Sequence, residues 1–215
     1  AEISWSPEPI LTGAGRSALA GFRAGGHVVF QADRASDILQ VLKFAEKNGV
    51  RVVISGGAEA WMVADRLAEA GVPVMLDALL NLPKSFDMLG ARLDNAAILN
   101  AAGVTVAFSS AGTHNARKLR QVAGNAVANG LPFEAGIAAM TLNPATIFGL
   151  EELGTIAEDK AAHLVLWSGD PLEVTTVADQ VIINGKQVEM VSRQTLLRDR
   201  YLPRDPELPR AYLKP

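Results

Sequence analysis

Residues 103–150 read GVTVAFSSAGTHNARKLRQVAGNAVANGLPFEAGIAAMTLNPATIFGL, and this stretch decides the fold. It begins with a short apolar run, 104–108, whose β-branched residues predict a buried strand. Small polar residues follow directly, from Ser109 to His114, before helical spacing resumes at Leu119. Because α/β proteins carry their chemistry where a strand runs into a polar loop and then a helix, the loop after this strand is the first candidate site.

Three helices are predicted in the rest of the stretch, at about 119–128, 132–142 and 143–148. Asn129 and Gly130 form a C-terminal stop for the first of them. The third is predicted to begin with Asn143 as the cap and Pro144 in the first helical position, and to end at Gly149.

The chain before this stretch repeats a strand and a helix at intervals of roughly 25 residues. Strands are predicted at 27–31, 51–54, 72–76 and 104–108, and helices at 10–24, 37–48, 59–70 and 94–102. Ser36 is predicted to cap the helix at 37–48. Because the strands are continuously apolar, they indicate a parallel sheet with helical crossovers. Residues 77–92 form a long loop, and loops of that length are usually functional or mobile.

The residues after Gly149 have a different character. They predict a strand at 162–167, a hairpin of 179–183 and 186–191 around an Asn184-Gly185 turn, and a short helix at 195–201. We therefore predict two parts, an α/β layer over residues 1–149 and a small β-rich part over residues 150–215.

The composition is that of an ordinary globular chain, with 215 residues, 49% of them hydrophobic, and a formal net charge of -3. This balance gives no indication of a nucleic-acid or membrane partner, and no apolar run approaches the roughly 18 residues that span a bilayer. Because the sequence contains no cysteine, disulfides and thiolate chemistry are excluded. The first residue is Ala1 rather than methionine, so the compartment stays open between the cytoplasm and, if a signal peptide was removed, the periplasm.

A family resemblance is carried by TLNPA at 141–145, by Gly149, by GTI at 154–156 and by KAAHLVLW at 160–167. These segments resemble the C-terminal signature of the amidohydrolase superfamily, in particular its imidazolonepropionase-like branch, and the likeness extends from about His27 to Leu202. The resemblance implies an α/β fold in which residues 1–149 are the second half of a (β/α)8 TIM-type barrel, strands 5–8. Residues 150–215 would then be the C-terminal part of a small β-sandwich domain, with a terminal helix and tail.

On this resemblance, the first half of the barrel lies outside these residues. Four parallel strands alone would leave two open edges and an uncovered interior, which is unfavourable. We expect the N-terminal half of the same protein, rather than another copy of this chain, to supply the missing strands. We also expect a homo-oligomer.

The resemblance also implies a divalent metal such as zinc, which lowers the pKa of a bound water. Members of the superfamily hold it with a His-x-His pair on strand 1, a histidine on each of strands 5 and 6, and an aspartate on strand 8. The matching positions here are Gln31 on strand 5, Ser55 or Gly56 on strand 6, and Ala111, give or take one residue, at strand 8. Glutamine is a poor zinc ligand and the others are effectively none. The chain alone therefore supports no metal ligand, and the replacements together favour a degenerate site. A strand 1 pair elsewhere in the complete protein would still allow it to hold a divalent metal such as zinc.

His114 and Asp77 are the candidate catalytic residues. His114 is the histidine on the loop side of the predicted sheet, where an imidazole is suited to proton transfer near neutral pH. The alternative is a loop histidine that only begins the last barrel helix. Asp77 follows the third strand, and a metal-free acid-base reaction would use His114 with Asp77 or with Asp33.

The candidate substrate contacts are Gln31, Arg34, Glu59, Asn115 and Arg117. Structural alternatives remain open for them: Arg34 and Asp33 would pair with each other, Glu59 would stabilise a helix start, and the last two would be solvated residues of a helix start. His27, at the beginning of the first strand, and His163, in the small β-rich part, are predicted to be structural.

The resemblance implies the C-terminal portion of a metal-dependent hydrolase that acts on C–N bonds of a small cyclic amide or dipeptide-like substrate. The alternative is a catalytically degenerate barrel that acts as a binding or interaction module. Both predict a small-molecule ligand, and neither predicts nucleic acid or a membrane as a partner.

Overall fold

The computed structural model describes residues 12–15, 17, 20, 25–110 and 112–202, so the helix predicted at 10–24 lies mostly outside the described residues. The larger sheet consists of β1 (His27–Ala32), β2 (Arg51–Gly56), β3 (Val74–Leu76) and β4 (Val106–Phe108). Its strand order is β1-β2-β3-β4, and every neighbouring pair is parallel. The predicted α/β fold with a parallel sheet is therefore confirmed.

Helices connect these strands and follow the last of them. The helices are α1 (Ala35–Asn48) after β1, α2 (Ala64–Glu69) after β2, α3 (Asn95–Ala101) before β4, and α4 (Leu119–Ala128), α5 (Phe133–Met140) and α6 (Leu142–Phe148) after it. Short 3-10 turns at Ala60–Val63, Phe86–Met88 and Thr113–Lys118 complete the connections. None of the helices in the described part of the chain is long and apolar enough to cross a membrane.

The cap predicted for α1 is wrong. The helix begins at Ala35, so Ser36 lies inside its first turn, and the N-cap is Arg34, which makes no capping hydrogen bond with its side chain. The predicted end is correct, because Gly49 closes the helix with a left-handed φ of 62°, a conformation that glycine adopts without strain.

Asn143 is not the cap of α6 either, because the helix begins at Leu142 with Thr141 as its N-cap. The Asn143 side chain instead donates from Nδ2 to the carbonyl of Val106 at 2.7 Å. The carbonyl of Thr105 already accepts from β3, and alternate carbonyls of a strand point to opposite sides, so the Val106 carbonyl points to the open edge of β4. Asn143 therefore satisfies a backbone acceptor that the sheet leaves unpaired.

The two faces of the larger sheet are covered unequally. One face packs against the helices and contains the main core, in which Ile54 is fully buried. The other face packs against Ile147 of α6 through Val53 and Ala107. On this second face Val29, the register partner of Val53 on β1, is 49% exposed.

A second sheet follows α6. It contains β5 (Leu164–Trp167), β6 (Ala178–Ile183) and β7 (Lys186–Val188), which are antiparallel in the order β5-β6-β7. The predicted hairpin is confirmed, since Asn184 and Gly185 both have positive φ, 51° and 74°, as a type I′ turn requires. The last described helix, α7 (Arg193–Tyr201), begins with a capping box between Ser192 and Thr195.

Arg120 of α4 links the two sheets. Its guanidinium lies 4.4 Å from the ring centroid of Trp167 on β5. It also donates to the carbonyl oxygens of Pro171 at 2.8 Å and Thr176 at 3.2 Å. One side chain therefore stacks on an aromatic ring and satisfies backbone acceptors of the segment between β5 and β6.

The open edges of the larger sheet generate a first prediction. Expressed alone, this chain is expected to self-associate or aggregate, because no described strand pairs with the outer edge of β1 or β4 and Val29 is half exposed. Sedimentation velocity measures this directly. A compact monomer that persists over a wide concentration range would contradict it.

The Arg120 contacts generate a second prediction. In the complete protein, Arg120→Ala is expected to lower the free energy of unfolding by about 2–3 kcal/mol, because a cation–π contact and the bonds to carbonyls are lost together. Urea denaturation measures the change. The matched control is Arg66→Ala, which removes an exposed pair with Glu69 and should cost less than about 0.5 kcal/mol. Equal losses in the two variants would contradict the role assigned to Arg120.

Candidate functional site

A cleft of about 360 Å³ lies at the carboxyl ends of the four parallel strands. Each strand contributes a residue at or just past its end to the lining: Gln31, Ser55, Asp77 and Ser109. The long loop predicted at 77–92 lines the cleft as well, through Lys84 and Arg92 among others. Since ligands of parallel α/β sheets bind at this end of the strands, the cleft is the candidate functional site.

Gly56 shapes the floor of the cleft. Its φ of 99° is one that residues with a side chain rarely adopt. A Cβ at this position would lie 2.6 Å from both Gln31 Nε2 and Asp33 Oδ1, so glycine leaves the space that these two side chains occupy. Asp33 Oδ1 also accepts a hydrogen bond from the Ala58 backbone N–H at 3.3 Å.

Asp77 opens the long loop and lines the cleft. Its Oδ1 accepts from the backbone N–H of Leu79 at 3.1 Å, and its carbonyl accepts from Leu80 at 2.9 Å. These bonds form a turn that holds the carboxylate at the end of β3. The geometry therefore brings two of the predicted site residues, Asp77 and Gln31, into one cleft.

Glu59, predicted to contact substrate, bonds to the backbone of two loops. Oε2 accepts from the N–H of Ala35 at 3.0 Å, and Oε1 accepts from the N–H of Gly90 at 3.1 Å. Its carboxylate therefore ties the start of α1 to the far end of the long loop. Glu59 is not among the residues that line the cleft.

Arg34 also lies outside the cleft lining. Its partner is not Asp33, as the structural alternative predicted, but Asp37 at 2.9 Å and Asp87 at 3.4 Å. The hydrogen bond to Asp37 raises the pKa of the Arg34 guanidinium, which is half exposed.

The structure does not bring His114, Asn115 and Arg117 into the cleft lining. They lie in the 3-10 turn between β4 and α4, where His114 and Arg117 are exposed. Arg117 donates to the carbonyl of His114 at 3.4 Å. The Asn115 backbone N–H donates to the carbonyl of Gly112 at 2.8 Å. Their catalytic and substrate roles stay predictions.

The other two histidines have packing contacts away from the cleft. His27 begins β1, at the opposite end of the sheet, and its ring meets Phe148 edge to face at a centroid distance of 6.2 Å. Burial lowers the pKa of His27, and the nearby positive charge of Arg51 lowers it further. His163 Nδ1 accepts from the backbone N–H of Asn184 at 3.3 Å, beside the hairpin turn.

No local sequence pattern indicates the contacts that hold the end of the long loop. Trp61 donates from Nε1 to the Gly90 carbonyl at 2.8 Å, and Arg92 stacks on Trp61 with its guanidinium 4.6 Å from the ring centroid. Arg92 also donates to both carboxylate oxygens of Asp94. These hydrogen bonds lower the pKa of Asp94 and raise that of Arg92.

Asn95 is a buried polar residue of the cleft lining that the sequence analysis did not select. Its Nδ2 donates to the Gly57 carbonyl at 2.8 Å, which ties α3 to the turn after β2. Its Oδ1 is buried and accepts no hydrogen bond from any residue that the structure describes. An asparagine at a helix start is read from sequence as a local cap, so a bond to a segment 38 residues away carries no sequence signal.

The residues of this cleft do not fit a zinc site by themselves. Within residues 25–110 and 112–202, no group of three or more histidine, cysteine, aspartate or glutamate side chains is placed to hold a metal. The positions at which the family resemblance predicts metal ligands carry Gln31, Ser55 and Gly56, and Ala111 lies outside the described residues. Zinc in proteins takes histidine, cysteine or carboxylate ligands.

Comparisons with known proteins agree on one family. A model of the amidohydrolase family matches residues 13–188. The amidohydrolase tasK of Hapsidospora irregularis is 36% identical over 115 residues, which are 49% of this chain and 12% of that protein. The crystal structure of an amidohydrolase from Thermotoga maritima MSB8 aligns with a TM-score of 0.77 at 30% identity, over 85% of this chain and 48% of that one.

A prolidase crystallised with N-methylphosphonate-L-proline aligns with a TM-score of 0.61 at 20% identity, over 81% of this chain and 48% of that one. At that identity the likeness shows a shared fold alone. The chain thus spans about half the length of the solved structures that it matches.

The bonds of Glu59 generate a third prediction. In the complete protein, Glu59→Gln replaces one acceptor oxygen with an amide NH2 that faces a backbone N–H. One of the two loops therefore loses its hydrogen bond to this side chain. Hydrogen exchange at the Ala35 or Gly90 amide is expected to rise roughly tenfold. Asp65→Asn, an exposed carboxylate change on α2, is the matched control and should leave both amides unchanged. Unchanged exchange in Glu59→Gln would refute the role assigned to this carboxylate.

Proposed function

This chain belongs to the amidohydrolase family, and from that membership we propose that it forms the C-terminal half of a (β/α)8 barrel, with β1 to β4 as barrel strands 5–8. Two observations support the proposal. The four strands are parallel and adjacent in sequence order, as consecutive strands of such a barrel are. No other strand in the described part of the chain pairs with the outer edges of β1 and β4, which a closed barrel would pair.

The second sheet is proposed to be part of a small β-sandwich. Residues 1–149 would then belong to the barrel and residues 150–215 to the sandwich, its terminal helix and its tail. The exposed apolar side chains Val165, Leu166 and Ile183 on this sheet support the proposal, since a sandwich buries such side chains between two sheets.

The N-terminal half of the same protein is the proposed partner of both sheets. It would pair with the edges of β1 and β4 and would cover the face that leaves Val29 half exposed. A second copy of this chain is the alternative source of these strands. Both arrangements place the cleft against residues from outside this chain.

The proposed activity is hydrolysis of a C–N bond in a small cyclic amide or dipeptide-like substrate. The observation that carries it is the cleft at the carboxyl ends of the strands, with Asp77 in its lining. In this proposal the Asp77 carboxylate takes a proton from the water that attacks the amide carbon, and this proton passes to the leaving nitrogen as the C–N bond breaks. The neutral donors Gln31 and Ser55 hydrogen-bond the amide group of the substrate. His114, on the adjacent turn, is the proposed second proton-transfer group.

Metal chemistry is not assigned to these residues. The family is generally metal-dependent, and a zinc held by side chains from the rest of the protein remains part of the proposal for the complete enzyme. No step above uses a metal, because Gln31, Ser55 and Gly56 occupy the positions at or next to which the resemblance predicts metal ligands.

A second candidate function is a barrel that binds a small molecule without hydrolysing it. The observation that favours it is the same replacement of metal ligands by Gln31 and Ser55, whose side chains offer hydrogen bonds but no strong coordination. Fold alone does not decide between the two functions, since one fold hosts many activities.

Metal content generates the fourth prediction and tests the proposed function. The complete protein is expected to contain close to one equivalent of zinc, manganese or iron, measured by inductively coupled plasma mass spectrometry. A chelator should remove the metal and abolish hydrolysis of a panel of cyclic amides and dipeptides, and added metal should restore it.

Two results would contradict a metal-dependent hydrolase. One is a fully folded, metal-free protein that hydrolyses nothing in the panel, which would favour the binding barrel. The other is hydrolysis that persists unchanged after complete metal removal, which would support metal-free acid-base chemistry with Asp77 instead. Circular dichroism before and after chelation separates loss of activity from loss of fold.

A further inference from the structure

Lys84 differs from the other charged residues of the cleft lining in its partners. Arg92 is held by both oxygens of Asp94, with Nη2 to Oδ2 at 2.6 Å, and lies against the ring of Trp61. Lys84 forms none of the ion pairs and hydrogen bonds found among the described residues. It is exposed and lines the cleft from the long loop.

The carboxylates in the lining hold backbone groups. Asp33 Oδ1 accepts from the N–H of Ala58, and Asp77 Oδ1 accepts from the N–H of Leu79. Neither carboxylate forms an ion pair with Lys84 in the described part of the chain. Lys84 therefore contributes a positively charged side chain to the lining of the cleft, and it forms no ion pair with a carboxylate of the described residues.

The loop that carries Lys84 is fixed at both ends. At its start, the Asn125 side chain donates to the carbonyl of Ala78. At its end, Gly90 is held through its N–H by Glu59 and through its carbonyl by Trp61. These anchors keep the middle of the loop beside the cleft, so Lys84 lies next to whatever molecule the cleft holds.

We propose that Lys84 binds a carboxylate of the small molecule that occupies this cleft and thereby selects carboxylate-bearing ligands over their neutral amides. A ligand carboxylate accepts a charge-assisted hydrogen bond from the Lys84 ammonium, whereas the neutral amide of the same ligand offers only a weaker, uncharged acceptor. The Arg92 guanidinium does not fill this role, because it is already hydrogen-bonded to Asp94 and stacked on Trp61. The proposal rests on the proposed function only in taking the cleft as the ligand site.

Binding to matched probe pairs tests this role, and it constitutes the fifth prediction. The complete protein is titrated calorimetrically with N-acetyl-L-alanine and N-acetyl-L-proline, and with the carboxamide of each. At least one carboxylate is expected to bind roughly tenfold more tightly than its amide. Lys84→Gln should remove that preference without weakening amide binding, and Lys84→Arg should retain most of it. Added salt should weaken carboxylate binding to the wild type more than amide binding.

The matched control is Lys186→Gln, which removes an exposed lysine on β7, outside the cleft lining. The proposal is overturned by equal affinity of the wild type for acid and amide, by equal effects of the two lysine variants, or by no binding of any probe. Because the readout is affinity rather than turnover, a protein that binds the acids through Lys84 but hydrolyses none of them would refute the proposed hydrolase and support this site.

Discussion

The structure depends on one constraint, which is that a parallel sheet must be covered on both faces and both edges. The helices pack against one face, and Ile54 in that interface is fully buried. The opposite face receives Ile147 from α6, and the edge carbonyl of Val106 receives the side chain of Asn143. These two contacts come from adjacent turns of one helix, so α6 covers β4 from the side and from the face at once. No described element does the same for β1, where Val29 is half exposed.

The same constraint explains where the cleft lies. Parallel strands end on one side of the sheet, so the loops after β1, β2, β3 and β4 converge there whatever their sequence. Their convergence is then fixed by a few long-range bonds: Glu59 joins two loops through their backbone, and Trp61 and Asn95 bind turns far along the chain. A long loop with little secondary structure of its own therefore keeps a defined position, because side chains of its neighbours satisfy its backbone.

Periodicity was sufficient to predict the architecture and insufficient to predict the site contacts. The strands, their parallel pairing and the Asn184-Gly185 hairpin follow from local apolar runs and turn residues, and all appear in the structure. The cap assigned to Asn143 is wrong because an asparagine amide has two possible partners, a local N–H or a distant carbonyl, and only the fold decides between them. Glu59 is predicted to contact substrate, but its partners in the structure are backbone groups 24 and 31 residues away. No local pattern encodes pairings at that separation.

The open edges also connect stability with function. If the strands that complete the sheet come from elsewhere in the protein, then residues of this chain line one side of the cleft and residues of those strands line the other. Formation of the edge hydrogen bonds and formation of the complete site would then be one event, because the same strands that pair with β1 and β4 would carry residues to the mouth of the cleft. Side chains such as Gln31 and Ser55, which coordinate metals poorly, are compatible with this arrangement because they need only bind and orient a ligand.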